Sequence, residues 1–200
     1  EVSQHVKVLL GGLGGDECFT GYDIHRYCNS MGKGHAWVPP WLNRALLRPA
    51  SQLLWKAQSA SGMLRTEHYR IGAQIALSTG NRAGFYTRLR NAWDEDRGMY
   101  KRIYADPKSF HEYPQTASYF TSYFDDDRPY IEQVLRAEFR EKMVNDFLVN
   151  EDRVTSAWGV EGRVPFLDLD FSSYARGIPA AEKMHGTQLK ALWRSVAQNE

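Results

Sequence analysis

The sequence of 200 residues is short of several things, and each shortage closes off a class of protein. It has two cysteines, Cys18 and Cys28. Their spacing does not suit zinc, and a disulfide framework uses more of them, so a reduced, cytoplasmic setting is expected. The six histidines (His5, His25, His35, His68, His111, His185) form no pair at metal-ligand spacing, and no HExxH stretch occurs, which leaves a catalytic zinc site little support. Charge of one sign is also lacking: 25 Lys and Arg against 24 Asp and Glu give a formal net charge of +1. That balance argues against a broad nucleic-acid surface. No apolar run approaches a membrane span and no signal-peptide pattern precedes the first strand-like segment, so no membrane partner is expected. Repeats and low-complexity tracts are absent. With 42% hydrophobic and 24% charged residues, the composition is that of an ordinary globular chain able to bury a proper core.

Strands are scarce too. At 6–10 apolar residues run together, the pattern of a buried parallel strand. It is the one convincing strand, and a lone strand cannot satisfy its own backbone groups. Its partner is expected to be missing or to come from another chain, which makes a homodimer through this edge a reasonable expectation. The chain begins at Glu1 without a methionine and ends just after a helical pattern, so it reads as a piece of a longer protein.

What is present in abundance is glycine at one place. Gly11-Gly12-Leu13-Gly14-Gly15-Asp16-Glu17 directly follows the strand. A backbone without β-carbons approaches a phosphate closely and holds positive φ in a tight turn. Asp16 and Glu17, at a helix entry, suit either a magnesium ion or the helix dipole. Alone, the cluster is equally a turn with a capping aspartate.

The remainder reads as mainly α. Helices are expected over 20–27, from Pro39-Pro40 onward at Trp41, around Leu53, Leu54 and Lys56, over 65–77 and over 84–93, with a loop at 29–35. A mixed stretch at 94–104 offers Met99, Tyr100, Ile103 and Tyr104 to the core. Tyr119, Phe120, Tyr123 and Phe124 read as core rather than as a cofactor box, and Asp125-Asp126-Asp127 as a solvated loop. Ile131, Leu135, Phe139, Met143 and Phe147 recur every four residues, with Val134 and Leu148 widening the stripe. Glu138, Glu141 and Lys142 fall off it and are expected to face water. Further helices are expected at 152–158, ended by Gly159, at 171–174, and at 187–197 with Leu189, Leu192, Trp193 and Val196 inward. The passage 160–165 is extended.

Two remote features stand beside the glycine turn. Glu161 and Arg163, two apart in extended backbone, project to the same side and belong either to a salt bridge or to a polar network around a site. Lys190 and Arg194, four apart on the last helix, would share a face, either as a solvated basic edge or as a phosphate clamp.

Taken together, Gly12-x-Gly14-Gly15-Asp16-Glu17-x-Phe19-x-Gly21-Tyr22, the segment Val160-Glu161-x-Arg163-Val164-Pro165-Phe166-Leu167-Asp168 and Lys190-Ala-Leu-Trp-Arg194 strongly resemble the synthetase half of glutamine-hydrolysing asparagine synthetases. Order and spacing fit that family from about residue 6 to the end, most loosely between Lys33 and Asp127. The resemblance implies a piece cut from an α/β ATP-pyrophosphatase domain (adenine nucleotide α-hydrolase-like). It would be mainly α, with one N-terminal parallel-type strand. It also implies ATP and Mg2+ as cofactors. Gly11, Gly12 and Leu13 would border the nucleotide, Asp16 would bind magnesium, Lys190 would face the reacting phosphate, and Glu161 and Arg163 would stand behind the substrate pocket.

The reaction implied is adenylation of a carboxylate, usually aspartate, followed by attack of glutamine-derived ammonia. One departure concerns Leu13, which stands where the family often has an acid. Another is that no Ser-Gly-Gly-x-Asp-Ser pyrophosphate loop occurs in residues 1–200, and no glutaminase domain either. The piece alone is therefore expected to bind ATP weakly and to make no product. Two other outcomes remain open on the residues: an amidotransferase or cyclase acting on another carboxylate, and a non-catalytic relative that kept the fold.

Overall fold

In the computed structural model the described residues are 2–35, 40–42, 45–46, 49–50, 53, 82–90 and 116–198. They fall into two compact units, Glu1–Tyr27 with Ile131–Glu200, and Cys28–Tyr130. In the first unit, strand β1 (Val8–Leu10) pairs in parallel with β2 (Glu161–Arg163), in the register Val8 to Glu161, Leu9 to Gly162 and Leu10 to Arg163. The Glu161 N–H donates to the Lys7 carbonyl at 2.8 Å, and the Gly11 N–H to the Arg163 carbonyl at 2.7 Å. This corrects the expectation of a single strand. The partner is the extended passage of this same chain, and no local period reveals it because parallel pairing joins segments remote in sequence. Burial is corrected as well: Val8, Leu9 and Leu10 are 40%, 38% and 71% exposed. A sheet of only two strands, as described, leaves these apolar residues partly uncovered, Leu10 most of all.

Past β1 the chain turns at Gly14 into helix α1 (Gly15–Phe19). Thr20 and Gly21 break it, and α2 (Asp23–His35) follows. The loop expected at 29–35 is thus the C-terminal part of a helix. Gly32 and Gly34 each weaken a helix by about 1 kcal/mol, too little to stop one already nucleated upstream.

The second unit has a helical turn at Pro40–Leu42 with Trp41 exposed, then α3 (Arg82–Arg90) and α4 (Thr116–Phe120), the latter running into a 3-10 turn at Thr121–Tyr123. Its interior is aromatic. Phe85 and Tyr86 are buried, and Tyr86 meets Phe120 at 5.1 Å and Phe124 at 5.4 Å between ring centroids. Phe124 in turn meets Tyr130 at 5.5 Å, and the Tyr130 hydroxyl donates to the Arg82 carbonyl at 2.8 Å. Rings packed on rings are what core aromatics do. Tyr119, by contrast, is exposed. Asp125 and Asp127 are exposed, while Asp126 accepts from the Arg128 N–H and pairs with its guanidinium, as a solvated turn does. The expectations for 65–77 and 94–104, and for Leu54 and Lys56, lie outside the described residues.

Helix α5 (Tyr130–Ala137) passes without a break through a π-helical stretch (Glu138–Phe147) into α6 (Leu148–Ala157). A stripe recurring every four residues drifts around an α-helix of 3.6 residues per turn, and wider π turns absorb that drift. Ile131, Val134, Leu135 and Met143 are buried accordingly. So is Glu138, at 0% exposure, which corrects its expected place in water: seven residues after Ile131 and four after Val134, it lies on the same α-helical face as they do. Gly159, at φ 64°, ends α6 in the left-handed conformation that glycine adopts freely.

A 3-10 turn (Pro165–Leu167) leads to α7 (Leu169–Gly177), α8 (Ala180–Lys183) and α9 (Ala191–Gln198). The Asp168 carboxylate caps α7 by accepting from the Asp170 and Phe171 N–H groups, both at 3.1 Å. Cys18, Phe19 and Ala175 form one buried cluster of this unit, with Phe139, Phe166, Phe171 and Leu192 packed around them. Trp193 meets Phe19 at 5.1 Å with tilted rings and Phe166 at 5.2 Å edge-on, yet, against the expectation that it points inward, it remains exposed. Val196, expected inside, is exposed. Among the described residues no helix is long and apolar enough to cross a membrane.

Candidate functional site

The glycine turn and the Val160–Asp168 segment touch through Gly14. At φ 92° its backbone is left-handed, and a Cβ there would collide with the Leu167 side chain and crowd Phe166. Gly11 sits under the Glu151 carboxylate and Val164, its N–H spent on Arg163. Gly12 is different: it is exposed, and a Cβ there would meet nothing within 4 Å. Packing demands glycine at 14, leaves little room at 11 and leaves position 12 free. Leu13, between them, is half-buried.

Asp16 lies in the first turn of α1 and forms an ion pair with Lys190, from the far end of the chain. Both are about one-third exposed, at 33% and 34% of their side-chain areas. The contact passes over Gly21, where a Cβ would collide with both the Asp16 carboxylate and the Lys190 side chain. Lys190 is not on α9, as its spacing to Arg194 suggested. It precedes the first residue of that helix, with a left-handed backbone at φ 54°, and its carbonyl accepts from the Arg194 N–H at 2.8 Å. The basic face expected of the pair is therefore absent: Lys190 turns to Asp16 and Arg194 is exposed. Thr20, at φ 59°, is the other non-glycine left-handed residue among those described, so both strained positions flank this contact.

Behind Asp16, Glu17 is buried and accepts a hydrogen bond from the Tyr22 hydroxyl at 2.6 Å. Burial raises its pKa against the lowering effect of the Tyr22 bond, and the negative charges of Asp16 and Glu138 add to the rise. His25, fully buried, accepts the Tyr22 N–H at Nδ1, which leaves the proton of a neutral imidazole on Nε2. Glu161 and Arg163 do share one side of β2, with the Arg163 Nε donating to the Glu161 carboxylate at 2.9 Å. Both are 61% exposed. In the described residues they form a surface pair, not a buried network.

Among the described residues no three metal-ligating side chains gather. Asp16 offers one accessible carboxylate, a donor set that fits magnesium. This ion keeps most of its waters and is commonly held by one or two carboxylates together with substrate phosphates. Sequence reasoning missed Glu151, Gly21 and Tyr22 as parts of the site. Gly21 and Tyr22 stand in the motif itself; nothing local marks Glu151.

A parallel strand entering a glycine turn and a helix, with a carboxylate and a lysine brought together from opposite ends, is an arrangement of α and β segments around one small polar site. The chain belongs to the asparagine synthase family, whose model matches residues 1–200. It is 29% identical over 204 residues to asparagine synthetase (glutamine-hydrolysing) 1 of Bacillus subtilis, covering 99% of this chain and 29% of that protein. Proteins of Mycobacterium bovis and Mycobacterium tuberculosis that carry the name glutamine-hydrolysing asparagine synthetase are 26% identical over 201 residues, covering 98% of this chain and 28% of theirs. The chain thus spans less than a third of the length of the curated relatives it matches. No solved structure matches it significantly.

Proposed function

We propose that this chain is the C-terminal portion of an ATP-dependent amide ligase domain. That domain activates a carboxylate, aspartate in the simplest case, as its adenylate, and ammonia from glutamine then displaces AMP. The observation that carries the reading is the meeting of Asp16 and Lys190 beside the glycine turn in a chain of this family. The enclosing fold would be of the ATP-pyrophosphatase type, and the setting cytoplasmic. The glutaminase domain and the pyrophosphate loop would lie outside residues 1–200.

Each residue has a chemical task in this reading. The backbone at Gly11, Gly12 and Leu13 borders the nucleotide, and the open space over Gly12 leaves room for it. Asp16 holds magnesium, whose chemistry when bound is to neutralise phosphate charge. Lys190 stabilises the charge that builds on the phosphoryl group as the carboxylate attacks. Glu161 and Arg163 fix the far side of the substrate region. The exposed edge of β1 would pair with a second copy of the chain.

The test is pyrophosphate release with hydroxylamine trapping of the acyl adenylate, using ATP, magnesium and aspartate. Full-length protein should give the hydroxamate and lose it in Lys190→Ala, while residues 1–200 alone should give none. A full-length protein that binds ATP yet activates no carboxylate would turn the reading toward a non-catalytic relative. Activation of a carboxylate other than aspartate would point to a related amidotransferase or cyclase, the direction in which Leu13 leans.

A further inference from the structure

We propose that the Asp16–Lys190 ion pair is a latch that opens only by double exchange. A metal–nucleotide complex replaces both partners together, and neither free metal nor metal-free nucleotide opens it efficiently. The inference rests on the nucleotide reading above and deepens it by assigning the order of binding.

The geometry gives the pair its closed position. Gly21 leaves a bare path across which the Lys190 side chain reaches the carboxylate, and a single methyl group would block it. The left-handed backbone at Lys190 aims that side chain back toward α1 rather than along α9. Among the described residues Lys190 is the one ion-pair partner of Asp16. Both groups are partly exposed, so an incoming ligand can reach them.

Exchange follows from charge. A divalent cation competes for the Asp16 carboxylate whose Oδ1 the ammonium engages. Free metal would therefore leave Lys190 unpaired beside a second positive centre. A metal-free triphosphate offers Lys190 a better anion but brings its own charge against a bared Asp16. The magnesium complex supplies a cation for Asp16 and phosphate oxygens for Lys190 in one step, so each charge keeps an opposite neighbour. No covalent bond changes.

A double-mutant cycle on the full-length protein, read by equilibrium binding, tests this, using ATP with a chelator in one series and Mn2+ alone, followed by its paramagnetism, in the other. Asp16→Asn should bind metal-free ATP about fivefold more tightly than wild type, the scale of a freed exposed ion pair. Lys190→Gln should gain Mn2+ affinity by a similar factor. Both gains should shrink when the other partner is already replaced. Should Asp16→Asn not fold, Asp16→Ser takes its place, with melting curves as the control. Equal gains in both backgrounds would show two independent charges and overturn the latch while leaving the nucleotide site standing. A wild type that binds neither ATP nor its magnesium complex would overturn the nucleotide reading, and the latch with it.

Discussion

Gly21 is the residue on which the site turns. Its missing β-carbon is the space through which Lys190 reaches Asp16. Gly21→Ala is expected to cost about 1 kcal/mol of stability, since the atoms in its way are the movable ends of two partly exposed side chains, and to tighten the binding of metal-free ATP by unlatching Lys190. Chemical denaturation and titration calorimetry would check both, and an unchanged affinity in a folded variant would show that the contact is irrelevant to binding. Glu17 supports a prediction of a different kind. Burial raises its pKa, so the folded state holds its proton to higher pH than the unfolded chain does. Stability therefore falls as pH rises from the ordinary carboxylate value through the raised one. Glu17→Gln keeps an acceptor for Tyr22 and should flatten that part of the profile; melting temperatures from pH 4 to pH 8, a range chosen to bracket about the carboxylate values, would show it. Lys183 has the opposite sign: burial lowers its pKa, against the raising effects of Cys18 and Glu132, so its contribution improves as pH rises through the lowered value.

Among the elements, α7 is held at its start by a single carboxylate. Asp168 accepts from two N–H groups that otherwise have no partner within the helix. Asp168→Ala should lower stability by about 1 kcal/mol with little effect on nucleotide binding, since its exposed carboxylate bonds to the first N–H groups of α7. Urea denaturation followed by circular dichroism would measure it. Elements also show where local pattern misleads. The period of four at 131–147 correctly located one long helix, but strict fours leave Glu138 off the stripe, whereas the helical repeat puts it beside Ile131 and Val134 on the buried face. The helix of α2 likewise runs on through glycines that read as a loop.

At the scale of the whole molecule, the exposed apolar residues of β1 bear on association. If the free edge pairs with a second copy, sedimentation should show a concentration-dependent dimer, and Leu10→Pro should weaken it by removing a donor from the side turned away from β2, because Lys7 and Gly11 already bond to β2 on the other side. A monomer at every concentration with β1 intact by hydrogen exchange would exclude this mode. The sequence by itself determined the family, the mainly helical character and the packing role of Phe120 and Phe124, because motifs and apolar periods are local properties written in neighbouring residues. It also placed Glu161 and Arg163 on one side of an extended segment. Only the tertiary structure decided that β1 pairs with β2, that Gly14 lies against Leu167, and that Lys190 leaves its helix to meet Asp16. Those contacts join segments separated by most of the chain, and the two positive φ values beside the site are imposed by packing rather than by the preferences of threonine or lysine.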